Sequence, residues 1–183
     1  MGELETTPKF LIAMPQLQDS NFLHSVVLLL NYTHIGAFGF VINRPTSIEL
    51  GQFASSQNVV CHHSLVNIPL FRGGPVEPHR CVILHADHTV VERQSVLPGV
   101  YLSSTEETLQ TLLQRGSVPL RLVMGYSGWG PGQLDKELAE GAWLIGDPNP
   151  SHILQTAPET TWQQVLHELG VDPQRLVPAS GIH

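Results

Sequence analysis

Ser25-Val26-Val27-Leu28-Leu29-Leu30-Asn31, then Tyr32-Thr33-His34-Ile35-Gly36, then Ala37-Phe38-Gly39-Phe40-Val41-Ile42 is the stretch that decides the fold. Its outer segments are apolar at successive positions, so each reads as a strand buried on both faces and central in a sheet. The connection between them is of hairpin length and carries a glycine. A chain built outward from such a hairpin must cover both sheet faces with other elements.

Those elements follow on either side. Phe10–Met14 is a short apolar strand ended by Pro15. Asp19 can cap a helical turn over Ser20–His24. Ile48–Ser55 reads as a weak helix, Asn67–Phe71 and Arg80–His85 as strands around a Gly73-Gly74-Pro75 turn, and Val90, Val91 and Val100–Leu102 as further short strands. Ser104-Thr105-Glu106-Glu107 is a capping box opening a helix with Leu109, Leu112 and Leu113 on one face and Gly116 as its stop. Pro119–Met124 is a buried strand, Gly125–Gly132 a glycine-rich turn, and Gly132–Glu140 a helix with Pro131 leading in and Leu134 and Leu138 facing inward. Trp143–Ile145 is another strand. Thr160-Thr161-Trp162-Gln163 is a second capping box, followed by Val165, Leu166, Leu169 and the stop Gly170. Strands and helices mix without a βαβ rhythm, which predicts an α+β fold.

The chain has 183 residues, 42% of them hydrophobic, enough for one domain over 1–183 with its own core. Nine basic against 16 acidic residues give a formal charge of −7. That balance argues against direct nucleic-acid binding and against an anionic membrane surface. No apolar run reaches the ~20 residues of a membrane span. The acidic start Met1-Gly2-Glu3-Leu4-Glu5 is no secretory leader, and its fit to a myristoylation pattern is accidental. Cys61 and Cys81 form no framework, so reduced thiols in a cytoplasmic protein are expected. The ten histidines titrate near the isoelectric point of about 5.7, where self-association into a homo-oligomer is expected.

Candidate chemistry sits in a few short segments, each with a structural alternative. Gly125-Tyr126-Ser127-Gly128-Trp129 approaches the G-x-S-x-G nucleophile elbow, but its fifth position is Trp129, and a tight turn explains the glycines. Gly128, Gly130 and Gly132 before a helix could present N–H groups to an anion, although no P-loop lysine accompanies them. Arg44, in Asn43-Arg44-Pro45, could hold a carboxylate or phosphate, or bond loop carbonyls. His62 and His63 would point to opposite faces of a strand, and His85-Ala86-Asp87-His88 lacks a third ligand nearby, so no metal and no cofactor is expected. Asp135, Glu137 and Glu140 read as a solvated helix face.

Three segments together resemble the YqgE/AlgH family of bacterial proteins. They are Ala13-Met14-Pro15-Gln16-Leu17-Gln18-Asp19 with Phe22 and the run to Asn43-Arg44-Pro45; Gly73-Gly74-Pro75-Val76 to Leu84-His85; and Gly125 through Leu134 to Glu137-Leu138 and Trp143. The resemblance implies a mixed, bifurcated β-sheet curled into a pseudo-barrel with flanking helices. It supplies no agreed catalytic residues, and some members carry a transcriptional-regulator label. The family commonly has Ala where this chain has Ser127, which weakens a nucleophile role.

The expectation is therefore a non-enzymatic binding or regulatory domain whose partner is a protein or a small anionic ligand. Its candidate ligand-binding residues are Asn43, Arg44, Gly73, Gly74, Ser127, Gly128, Trp129, Gly130 and Gln133, provided the three segments meet in space. The alternatives are an enzyme acting on a small anionic substrate, testable at His85, Asp87 and Ser127, and a transcriptional regulator that does not itself bind DNA.

Overall fold

The computed structural model describes residues 8–17, 19–116 and 119–176; the amino-terminal segment read above for a leader lies outside them. The central hairpin is present as β2 (Val26–Thr33) and β3 (Gly36–Val41), paired antiparallel with a bulge between Leu29 and Asn31. β1 (Lys9–Ala13) and β10 (Trp143–Gly146) extend the sheet beyond β2. On the other side stand β9 (Leu120–Trp129), β6 (Val76–His85), β8 (Val100–Ser103) and β7 (Gln94–Leu97). β4 (Pro45–Glu49) pairs with β5 (Pro69–Arg72), and β5 runs parallel to β9.

The sheet forks along β9. Val123 and Met124 pair with β5, whereas Ser127, Gly128 and Trp129 pair with β3. This is the bifurcated α+β half-barrel that the resemblance implied. It also corrects the reading of Gly125–Gly132 as a turn: residues through Trp129 belong to one ten-residue strand. Gly125 sits in β9 at φ +75, where a Cβ would lie 2.6 Å from the Gly74 carbonyl oxygen, so the glycine serves a close backbone approach within the sheet.

Five α-helices among the described residues cover the sheet. Because side chains alternate along a strand, each central strand feeds two cores. Phe10, Ile12, Val26, Leu28, Phe40 and Val123 point into the half-barrel, against Ile153 of α4 (Pro150–Leu154) and Trp162, Val165 and Leu166 of α5 (Pro158–Glu168). Leu11, Val27 and Val41 face outward beneath Leu134 of α3 (Gln133–Ala139). Leu70, Ile83 and Leu122 face outward beneath α1 (Leu50–Ser56) and α2 (Glu106–Arg115). The double-faced apolar reading of the hairpin is thus explained by helices on both sides.

Several local expectations change. α2 is capped by Thr105, whose Oγ1 accepts from Thr108 N–H at 3.3 Å, because the Glu92 carboxylate already takes the Ser104 and Thr105 N–H groups. Gly116 ends that helix in the left-handed region, as read. α5 begins at Pro158 rather than at a Thr160 box. α1 begins at Leu50 because Pro45–Glu49 is recruited as strand β4. α3 begins at Gln133, with Gly132 as its cap. Val90 and Val91 are not strand; β7 lies after them at Gln94–Leu97. His62 and His63 lie outside any strand with rings 4.2 Å apart, not on opposite faces.

Candidate functional site

The three motif segments meet at the fork. Gly73 N–H donates to the Met124 carbonyl at 2.8 Å, and the Gly73 carbonyl accepts from Val41 N–H and from the Ser127 hydroxyl, both at 2.9 Å. A Cβ on Gly74 would lie 2.2 Å from the Tyr126 carbonyl oxygen. Asn43 links Val26 N–H to the His24 carbonyl, and Arg44 donates to the Ser20 and Leu23 carbonyls at 2.7 Å each. Burial pulls the Arg44 pKa below its ordinary value, reinforced by nearby Arg72.

The far end of the motif is also packed. Trp129 and Trp143 both donate their indole N–H to Glu137 Oε2, at 2.9 and 2.8 Å, and Gln133 donates to Oε1. Gln133 Oε1 accepts from Gly130 N–H, while Gly128 and Gly130 are exposed. Asp135 accepts from the Tyr32 hydroxyl, whose pKa is pushed up to about 12 by that hydrogen bond. The solvated-face reading fails for Glu137, which two tryptophans from other elements reach, and holds for Asp135 and Glu140, which stay exposed. The junction joins the segments backbone to backbone and fixes where the β9 strand places Tyr126.

His85 and Asp87 lie together, away from Ser127. Asp87 N–H donates to His85 Nδ1 at 3.1 Å, so Nε2 carries the proton and donates to Ser103 Oγ at 2.8 Å, which donates on to the Glu92 carbonyl. Burial lowers the His85 pKa. The Asp87 carboxylate, raised by burial but lowered more by bonds from Thr89 and Arg115, ends at about 2. It is aimed at Arg115 Nη1, 2.7 Å away, and not at the imidazole. No cluster of metal-ligating side chains occurs among the described residues.

A cavity of about 430 Å³ opens beside the fork, at the end of the half-barrel that α4 and α5 leave unfilled. Phe38 forms its aromatic wall, with Phe40 and Tyr126 at edge-to-face centroid distances of 5.1 Å each. Leu30, Val82 and Leu102 complete the apolar lining. Asn31, Gln94, Ser104 and the Tyr126 hydroxyl bring polar groups that make no side-chain hydrogen bond among the described residues. Arg80 is the one formal charge on the lining among the described residues; its 3.2 Å contact with Glu77 is exposed and weak. None of the nine motif residues lines this cavity. Its residues come from six strands and the loop after β8, so no spacing in the sequence announces them.

Fold and cleft together define an α+β half-barrel with a small cleft of mixed polar and apolar lining on its concave side. The chain belongs to the AlgH-like family, whose model matches residues 10–174. It is 42% identical over 176 residues to a UPF0301 protein of Myxococcus xanthus, covering 96% of this chain and 97% of that one. A UPF0301 protein of Paracoccus denitrificans is 35% identical, covering 96% and 95%. The solution structure of AlgH from Pseudomonas aeruginosa superposes with a TM-score of 0.75 at 27% identity, covering 100% of this chain and 98% of the other. A Corynebacterium diphtheriae crystal structure gives 0.71 at 20% identity, covering 100% and 95%, a likeness of fold alone.

Proposed function

We propose that the chain is a non-enzymatic binding domain that takes a small anionic ligand with an aromatic body into the half-barrel cleft. The observation that carries this reading is convergence: one cation, an aromatic wall and four uncommitted polar side chains meet in a single cavity. Arg80 supplies the charge for a carboxylate or phosphate, the rings supply area, and Asn31 and Gln94 supply hydrogen bonds that orient the body. The motif junction is the scaffold that holds Gly125 and Tyr126 in the lining. A regulatory role follows if occupancy changes what the surface presents to a protein partner. The net charge of −7 disfavours nucleic acid, and free Cys61 and Cys81 suit the cytoplasm. No helix among the described residues is long and apolar enough to cross a membrane.

The test is a thermal-shift screen of aromatic carboxylates, nucleotides and sugar phosphates. A true ligand at 100 times its Kd adds about 2.7 kcal/mol, a shift of about 5–10 °C for a chain this size. The shift should vanish in Arg80→Glu. Stabilisation that survives Arg80→Glu, or no response to any anion, refutes the reading.

A further inference from the structure

The β6–β9 pair has a second face, and a groove runs along its outside. One part, about 490 Å³, is lined by Ile48, Phe53, Leu70, Pro78 and Met124, with Arg72 and His79 among its polar members. A second part, about 410 Å³, continues past Cys81, Ile83 and Leu109 to Ser104, Thr105 and Glu106 at the start of α2. The two parts share Phe53, His79 and Met124, so they adjoin along one face of the sheet. Both parts lie within the range of small-ligand sites.

Charge is distributed unevenly along the groove. At the first end the exposed Arg72 guanidinium has no ion-pair or hydrogen-bond partner among the described residues. It lies near a second cation, Arg44, whose own donors are taken by the Ser20 and Leu23 carbonyls. At the other end stands the Glu106 carboxylate. Between them the floor is mainly aliphatic, aromatic and thioether surface with His79 on the shared stretch, and burial pushes the Cys81 thiol up to about 11, so it stays neutral there. An extended apolar floor favours a hydrocarbon chain, the one cation with free donors at one end favours one anionic head, and an acid at the opposite end disfavours a second.

We propose that this groove is a second ligand site, built for a linear aliphatic monocarboxylate whose head meets Arg72 and whose chain runs over Met124 toward Ile83. Its ligand-binding groups are separate from those of the inner cleft: the two share Ser104 at their rims, but Arg72, Ile48 and Met124 line only the outer groove, and Arg80 and Tyr126 line only the inner one.

The test is calorimetric titration of the full chain with decanoate below its micelle concentration. Decanoate should bind with one site per chain. Arg72→Glu should weaken it at least tenfold, and Ser56→Trp, at an exposed groove position, should abolish it. Decanol should bind at least tenfold more weakly than decanoate and be insensitive to Arg72→Glu. Decanedioate should also bind more weakly than decanoate. Arg80→Glu should leave decanoate binding unchanged while removing the anion response of the inner cleft, so the two readings fail separately. Melting temperatures of the variants check that each is folded. The proposal is overturned by absence of decanoate binding, by equal binding in Arg72→Glu or Ser56→Trp, by loss on Arg80→Glu, or by association only with phosphatidylglycerol vesicles.

Discussion

Asp87→Asn isolates one ion pair whose worth can be worked out from its surroundings. Asp87 is 6% exposed. Its Oδ1 accepts from Thr89 N–H at 2.8 Å and from the Thr89 hydroxyl at 2.6 Å, and its Oδ2 accepts from Arg115 at 2.7 Å. Burial alone would raise its pKa, but these donors bring it from an ordinary 3.8 to about 2. At about 1.4 kcal/mol per unit, the ionised carboxylate contributes about 2 kcal/mol to folding at neutral pH. Asparagine retains an acceptor for Thr89 but turns an NH₂ toward the guanidinium. The variant should therefore lose about 2 kcal/mol at pH 7, or about 4–8 °C in Tm. The sign of the pH dependence follows from the lowered pKa: the contribution is fully present above 3.8 and disappears as pH falls toward 2. Urea unfolding at pH 7, 5 and 3 should show the gap between the two proteins constant down to pH 5 and shrinking at pH 3. No gap at pH 7, or a gap at pH 3 as large as at pH 7, refutes the reasoning.

Two further substitutions probe groups that hold separate elements together. Arg121 is a buried cation with no acidic partner among the described residues; it donates to the Ile42, His152 and Thr156 carbonyls and lies 4.7 Å over the Phe71 ring, and burial lowers its pKa to about 10. Arg121→Met strands those acceptors, at about 1–3 kcal/mol each, so chemical unfolding should show a loss of about 3 kcal/mol or more. Glu137→Gln weakens charge-assisted bonds to two indoles and should cost about 1–2 kcal/mol, with a change in the emission of Trp129 and Trp143 that Glu140→Gln, on the same helix, does not produce.

What could be read from the sequence was what is local or periodic. The hairpin at residues 25–42, the helix stopped by Gly116 and the apolar faces of Leu112, Leu113, Val165 and Leu166 all follow from spacing, because period and burial are tied together along one element. Errors arose where a distant partner decides the outcome. Gly125–Trp129 carries turn-forming residues, yet β3 and β6 draw it into a strand. Pro45–Glu49 has no strand pattern and is one only because β5 lies beside it. Glu137 looks solvated until two tryptophans from other elements reach it.

The same contrast separates motif from cleft. The glycines of the three conspicuous segments are visible because backbone meets backbone at the fork: a side chain at Gly73, Gly74 or Gly125 would collide with main-chain atoms at 2.2 to 2.6 Å. A constraint of that kind dictates residue identity at fixed positions, so it leaves a motif. A binding cleft imposes no such rule. Asn31, Phe38, Arg80, Gln94, Leu102 and Tyr126 each sit on a different strand, and each could be drawn from many ordinary strand sequences. The fork makes them neighbours: by pinning Gly125 between β5, β6 and β3, it turns Tyr126 into the concave side and leaves Met124 on the convex side. The most legible residues of this chain therefore report how the two faces are held, and the residues that would meet a ligand become visible only once the sheet is closed.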